Sequence, residues 1–169
     1  LKDRVVTCIK TLDVIRSIIG KNIERGLLPN YSLDLIHLKS QYNTIGINAL
    51  WEAVKYLGGT EIDEFGKAKY TKDGQKFAED ILHTIIETKD TFIKNNNIEY
   101  QINCEQVPAE RCATILQEKD KELYDDGCYD LPLYGNQWIP LGVKTSLSNK
   151  LSCSAELDEA CSGGSIAHI

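Results

Sequence analysis

Methionine is absent from the 169 residues, and leucine occupies the first position. Because a translation product begins with methionine, we expect this chain to be a segment of a longer protein. The sequence opens inside a helical pattern with no capping residue in front of it. At the other end, residues 165–169 (SIAHI) stop in a pattern typical of the start of a buried strand. Both ends are therefore expected to be cut.

Other absences exclude whole classes of protein. No apolar run approaches the length of a membrane span, and the charged first residues differ from a secretory leader, so we expect a cytoplasmic protein outside the membrane. The 19 basic residues are scattered among 25 acidic ones, giving a net charge of -6. Because this distribution provides no basic face for a phosphodiester backbone, nucleic acid is not expected as a partner.

The spacing of potential metal ligands favours reduced thiols. No two of the six cysteines have the two- to four-residue separation of a zinc knuckle, and His37, His83 and His168 have no partner at ligand spacing. We therefore expect no metal site in this segment. The length and the 42% hydrophobic content suffice for one core, so residues 1–169 are interpreted as a single segment of one domain.

Hydrophobic periodicity predicts a helix-rich α/β arrangement, because strands alternate with helices along the chain. The predicted elements are a helix to about Glu24 that ends at Gly26; an extended stretch over 33–38; a helix capped by Asn43 or Thr44 that ends at Gly58 and Gly59; a polar loop; a helix opened by Thr71 that ends near 95–97; a half-buried strand over 98–105; a helix over 108–117 with Pro108 as its first residue; an extended loop over 131–141; and a helix over 146–161 that leads into a final strand.

The strand, turn and helix over 98–117 have the most chemical content. A helix that begins at Pro108 directs the free N–H groups of its first turn beyond the carboxyl end of the strand, where the partial positive charge suits a phosphate. Ligands bind at such strand ends in barrels and doubly wound sheets. Asn103 and Glu105 are expected to point into the same space. A carboxylate at Glu110 beside an anion needs a purpose, and proton transfer is one.

Plainer interpretations compete with these. Proline and glutamate in the first turn stabilise many helix starts without any ligand, and physical chemistry alone favours that explanation. Asn136 and Gln137 beside Trp138 suit a sugar or a base, or else close a loop onto the core. Cys104 and Cys112 flank the turn, where a thiol can have a lowered pKa, yet small core residues are the simpler explanation.

Four ordered runs of residues form the most specific signal in the sequence. They are 42–53 (YNTIGINALWEA), 103–111 (NCEQVPAER), 133–141 (LYGNQWIPL) and 162–169 (SGGSIAHI). Their residues, order and spacing resemble successive blocks of the anaerobic (class III) ribonucleoside-triphosphate reductases, and the resemblance covers the chain from about Leu33 to its end. It implies a ten-stranded α/β barrel, of which this segment would form part of the wall.

The resemblance also implies a chemistry and a site. In this family a glycyl radical generates a cysteine thiyl radical, which abstracts the ribose 3′ hydrogen on the way to the deoxyribonucleotide. The strand, turn and helix resemble the place where substrate phosphates lie on backbone N–H groups. Glu110 matches a glutamate that some formate-using members place near the ribose, so it is the catalytic candidate. The candidate substrate-binding residues are Asn103, Pro108, Ala109, Arg111, Cys112, Asn136 and Gln137.

Parts of the family's machinery have no counterpart in this sequence. There is no glycyl-radical loop of the Arg-Val-x-Gly-Tyr type, no matching finger-loop cysteine and no four-cysteine zinc motif. No cofactor is therefore expected within the segment, which should be inactive alone, and the glycyl radical and zinc are expected elsewhere in the parent protein. The partners expected for the parent are a ribonucleoside triphosphate, a radical-SAM activating enzyme, formate or a thiol as reductant, and a second copy in a homodimer.

Two other functions stay open. The missing radical machinery and the long amphipathic helices predicted at 1–24 and 71–95 also suit a non-catalytic interaction module or a decayed paralogue. A glycyl-radical enzyme with another substrate would leave the phosphate turn unused.

Overall fold

The structure, a computed structural model, describes residues 1–166. It is helix-rich α/β, as the periodicity predicts. The elements are α1 (Lys2–Glu24), α2 (Pro29–Ser32), a 3-10 turn (Leu38–Ser40), β1 (Asn43–Ile47), α3 (Leu50–Tyr56), β2 (Thr60–Ile62), β3 (Ala68–Tyr70), α4 (Lys72–Asn95), β4 (Ile102–Gln106), α5 (Glu110–Leu123) and α6 (Leu147–Glu159). Strand β1 pairs with β4, and β2 pairs with β3 in an antiparallel hairpin.

The chain divides into two compact units. The first contains residues 1–45 and 84–104, and the second contains residues 46–83 together with the described residues from 105 onward. Buried apolar side chains of the first unit are Val5, Ile9, Ile45, Ile85, Ile102 and Cys104. Those of the second unit are Leu50, Trp51, Val54, Ala68, Tyr70, Ala78, Leu82, Ala113, Trp138, Ile139, Cys153, Leu157 and Cys161.

Local stop and start signals are confirmed. Helix α1 ends at Glu24, and Gly26 follows with a φ of 70°, the left-handed conformation that glycine adopts without steric cost. Thr71 opens α4, because its hydroxyl accepts the N–H of Gly74 at 2.9 Å. Ser146 caps α6 in the same way, accepting the N–H of Asn149 at 3.1 Å. These features depend on neighbouring residues, which is why periodicity and capping rules find them.

The predicted cap at Asn43 or Thr44 is wrong, because both residues lie in strand β1. The N–H of Asn43 donates to the carbonyl of Gln101 at 2.9 Å, so pairing with a distant strand holds this segment extended. The cap position of α3 is Ala49, with a φ of 64°. The stretch over 33–38 is also not a strand, since it follows the short helix α2 and leads into the 3-10 turn.

Three other boundaries differ from the prediction. The loop expected after Gly59 contains the hairpin of β2 and β3, whose turn is held by Asp63 Oδ1 accepting the N–H groups of Phe65 (2.9 Å) and Lys67 (2.8 Å). Strand β4 begins at Ile102 and keeps the predicted alternation of buried positions. Pro108 is not the first residue of a helix, contrary to the prediction, because it lies before Ala109, the cap residue of α5. Helix α5 also continues past the predicted end at residue 117, to Leu123.

The remaining expectations concern the end of the chain and membranes. Residues 131–141 form no helix or strand, as predicted for an extended loop. The strand predicted at the end of the sequence lies, from residue 167 on, outside the described residues. Within residues 1–166, every helix is too short or too polar to cross a bilayer.

Candidate functional site

Helix α5 begins without a side-chain cap. Its cap residue is Ala109, whose methyl side chain cannot accept a hydrogen bond, and whose own N–H donates to the carbonyl of Val107 at 2.8 Å. The N–H groups of Glu110, Arg111 and Cys112 therefore lack intrahelical acceptors, as the first groups of any helix do. Within the part of the chain that the structure describes, nothing else accepts them. The start of α5 thus presents open donors.

The carboxylate of Glu110 stands at this helix start. It is the acidic residue of the first turn, and its Oε1 accepts a hydrogen bond from Nδ2 of Asn136 at 3.3 Å. Glu110, Arg111 and Cys112 are exposed, whereas Asn136 is half-buried. The structure therefore brings together two of the residues predicted from distant parts of the sequence, one on α5 and one on the loop over 131–141.

The loop that presents Asn136 is held by helix α3 through both backbone groups of Gly135. The N–H of Ala49 donates to the Gly135 carbonyl at 2.8 Å, and the Gly135 N–H donates to Oε1 of Glu52 at 2.8 Å. A side chain at Gly135 would overlap the ring of Pro140, so only glycine fits at this position.

Strand β4 and helix α6 hold the next residues of the loop. With its amide oriented so that both atoms are satisfied, Gln106 donates to the carbonyl of Asn136 at 3.2 Å and accepts the N–H of Trp138 at 2.7 Å. The indole N–H of Trp138 donates to Asp158 at 2.6 Å, and the hydroxyl of Tyr70 donates to the Trp138 carbonyl at 2.6 Å. Polar contacts therefore fix the loop on either side of Gln137.

Glu52 is the buried acid of this region, with 6% of its surface exposed. Burial raises the pKa of its carboxyl, while the Gly135 N–H and the charge of Lys55 act in the opposite direction. Its second oxygen, Oε2, has no hydrogen-bond partner among the described residues. The ammonium of Lys55 binds Asp130 instead. A charge in this position is costly to bury.

A cavity of about 380 Å³ adjoins Glu52. Four tyrosines contribute to its wall, and two of their hydroxyls donate to carboxylates: Tyr56 to Asp126 at 3.0 Å and Tyr134 to Asp120 at 2.7 Å. Burial, followed by the bond to Asp120, raises the pKa of Tyr134 well above its ordinary value. These hydroxyls therefore stay protonated near neutral pH and act as donors.

Two other predicted binding residues are engaged by the protein itself. The side chain of Asn103 on β4 accepts a hydrogen bond from the Thr44 hydroxyl at 2.7 Å. Gln137 is 7% exposed, so its amide is not an open surface group. In residues 1–166, no group of three histidine, cysteine or acidic side chains is arranged to hold a metal ion.

Three residues that support the site were not predicted from the sequence. Gln106, Glu52 and Gly135 each hold the loop, and none of them was a candidate. The available signals were a charged residue within the otherwise apolar run Leu50–Val54 and a glycine next to a polar amide. Neither signal identifies its partner, because the residues in contact are separated by about 30 to 80 positions.

A family model described as anaerobic ribonucleoside-triphosphate reductase matches residues 1–169. No match was found among curated protein sequences.

Solved structures match almost the whole chain. The anaerobic ribonucleotide reductase from Thermotoga maritima with dATP bound in the specificity site is 37% identical, with a TM-score of 0.90, over 99% of this chain and 28% of that chain. The same enzyme in complex with dATP and CTP gives 37% identity and a TM-score of 0.90, over 99% of this chain and 27% of that one. The chain thus spans little more than a quarter of the proteins that it matches.

Proposed function

Because the chain belongs to the anaerobic ribonucleoside-triphosphate reductase family, we propose that it is one segment of an enzyme that reduces ribonucleoside triphosphates to deoxyribonucleotides. Its parent would then be an oxidoreductase that acts on a nucleotide through glycyl and thiyl radicals. The segment would form part of the wall of a catalytic α/β barrel. The family match over every residue, with a fold match at a TM-score of 0.90, is the observation that supports this proposal.

We propose that the open start of α5 binds the phosphates of the substrate. Three consecutive N–H groups that have no acceptor within residues 1–166, together with the positive end of the helix dipole, favour an anion at this place. The backbone N–H groups in contact would be those of Glu110, Arg111 and Cys112. Ala109, whose own N–H donates to Val107, would line the site, and Pro108 would shape the turn. The Arg111 side chain is exposed and would add a positive charge beside the bound phosphate.

Glu110 is proposed as the carboxylate that exchanges a proton with the substrate. A carboxylate in the same turn as a phosphate site repels the ligand, so its presence is better explained by proton transfer than by binding. The amide of Asn136 would orient it, since Nδ2 already donates to Oε1. The buried Gln137 would contribute to the wall of the substrate site.

We propose that the radical groups of the family lie in other parts of the parent protein. The sequence contains no glycyl-radical loop, and residues 1–166 contain no cluster of zinc ligands. Hydrogen abstraction from the ribose is the chemistry that these radicals would supply. In this proposal the residues of the present chain bind phosphate and orient a carboxylate.

The proposed partners follow from the same assignment. The parent would bind a ribonucleoside triphosphate, as the Thermotoga maritima enzyme binds CTP. We also propose a radical-SAM activating enzyme, formate or a thiol as the reductant, a homodimer, and a cytoplasmic location.

The decisive experiment replaces Glu110 by glutamine in the full-length reductase. Glutamine keeps the size and the hydrogen bond to Asn136 but cannot exchange a proton, so turnover should fall by roughly 10² to 10⁴. The nucleotide Kd should stay the same or fall, because the negative charge that repels the phosphate is removed. Glu118→Gln is the matched control, because Glu118 is exposed on the same helix and should leave turnover unchanged.

Unchanged turnover in Glu110→Gln would remove its catalytic role. A parent chain that has no glycyl-radical motif would contradict the reductase assignment itself. A parent that contains the motif but whose activity ignores ribonucleoside triphosphates would favour a glycyl-radical enzyme with another substrate.

A further inference from the structure

We propose that Glu52 is a positioning residue for Glu110, acting through Gly135 and Asn136. This inference rests on the catalytic role proposed for Glu110. The groups that orient the Glu110 side chain would then include a buried carboxylate that lies on another helix and far away in the sequence.

The first link is between Glu52 and Gly135. Oε1 of Glu52 accepts the Gly135 N–H at 2.8 Å, and one turn earlier the N–H of Ala49 donates to the Gly135 carbonyl at 2.8 Å. Both polar backbone groups of Gly135 are thus held by the start of α3. Because a Cβ would overlap Pro140 and lie 3.4 Å from Oε1 of Glu52, the backbone can approach this closely only at glycine.

The second link runs from Gly135 to Asn136. The peptide between them is held on one side by α3, and the next carbonyl, that of Asn136, accepts from the amide of Gln106 at 3.2 Å. With its backbone held before and after the Cα, Asn136 has one torsion, χ1, that mainly decides where its amide lies. Nδ2 then reaches Oε1 of Glu110 at 3.3 Å.

The cost of burying Glu52 argues for a role beyond folding. Its Oε2 has no partner among the described residues, and Lys55 binds Asp130 rather than Glu52. A buried polar group that is only half satisfied destabilises a fold, so packing alone would favour an apolar or smaller residue here. What the carboxylate provides is one acceptor at the correct reach from α3 to the loop.

The test separates reach from charge in the full-length reductase. Glu52→Asp keeps the charge but withdraws the acceptor by one methylene, whereas Glu52→Gln keeps the acceptor at the same reach and removes the charge. Because misplacement of a catalytic group by about 1 Å can cost roughly 100-fold, Glu52→Asp should lower kcat by about that factor with KM nearly unchanged. Glu52→Gln should stay within about threefold of the parent, and Glu118→Asp is the matched control on an exposed site.

A double-mutant cycle tests whether Glu52 acts through Glu110. In the Glu110→Gln background, Glu52→Asp should cause no further loss in kcat, since there is no proton-transferring carboxylate left to misplace. Independent effects that multiply would overturn the proposal, as would equal losses in Glu52→Gln and Glu52→Asp. Thermal unfolding is measured for each variant, and Glu52→Met, of similar length without an acceptor, replaces Glu52→Asp if that variant does not fold.

The outcomes also separate this inference from the proposed function. If Glu110→Gln alone has full turnover, the catalytic assignment fails and the positioning role fails with it. If Glu110→Gln loses turnover while Glu52→Asp keeps it, only the positioning role fails.

Discussion

Helices α5 and α6 lie in the same unit and begin in different ways. At α6 the hydroxyl of Ser146 accepts the N–H of Asn149 at 3.1 Å, so the helix satisfies part of its own start. At α5 the equivalent position is Ala109, which has no acceptor, and the first N–H groups stay open among the described residues. A capped start contributes stability, and an uncapped start leaves donors for something outside the helix.

The two helix starts also differ in the charge of their first turns. The first turn of α5 contains the exposed carboxylate of Glu110, to which a loop residue donates, and the first turn of α6 contains no acidic residue. The helix start that we propose binds a ligand is therefore the one that has no side-chain cap.

The largest expected difference concerns the cysteines of the two helices. Cys112 is exposed in the first turn of α5, whereas Cys153 is buried in α6, where burial and then the charge of Asp158 raise the pKa of its thiol well above the ordinary range. Because the thiolate is the reactive form and a buried thiol reacts only after opening, iodoacetamide at pH 8 should modify Cys112 roughly 10³-fold faster or more. Peptide mapping of the full-length protein measures both rates.

Substrate should change only one of these rates. A ribonucleoside triphosphate at the start of α5 should slow modification of Cys112 and leave Cys153 unaffected. Comparable rates at the two cysteines would contradict the contrast in burial.

The raised pKa of Cys153 also makes the stability of the protein depend on pH. The folded state holds the thiol proton more tightly than the unfolded chain does. The stability that the protonated thiol contributes is therefore present below about pH 8.5 and is lost as the pH rises above that value.

The next effect comes from closing the open helix start. Ala109→Asp supplies a carboxylate that accepts the free N–H groups and repels a phosphate, so KM for the nucleotide should rise at least tenfold. The same change should stabilise the protein by up to about 1 kcal/mol, which thermal unfolding measures. Loss of binding would then accompany a gain in stability.

Ala109→Asn is the control for charge. Asparagine caps as well as aspartate but is neutral, so KM should rise less than in Ala109→Asp. An unchanged KM in both variants would show that substrate phosphate does not use this helix start.

The smallest effect concerns the capped helix. Ser146→Ala removes the cap of α6 and should lower the free energy of unfolding by about 1 kcal/mol, with KM for the nucleotide unchanged. Denaturant unfolding and steady-state kinetics on the same preparation check both. A rise in KM here would mean that the start of α6 also takes part in binding, and the contrast between the two helices would be lost.

Much of the fold could be predicted from local signals. The end of α1 at Gly26, the caps Thr71 and Ser146 and the alternation in β4 all depend on residues within a few positions of each other. Strand β1 could not be found in this way, because Asn43 and Thr44 have the composition of a helix cap. Only pairing with β4, more than fifty residues later, makes them extended.

The candidate site was likewise predictable only in part. The family could be identified from four ordered blocks of sequence. The turn that precedes Glu110 could also be predicted, because the residues of a motif or a turn are neighbours along the chain. Only the tertiary structure decided that Asn136 reaches Glu110 and that Glu52 and Gln106 hold its loop. The physical reason is that a hydrogen bond between residues tens of positions apart leaves no periodicity in the sequence, since its geometry exists only after helices and strands have packed.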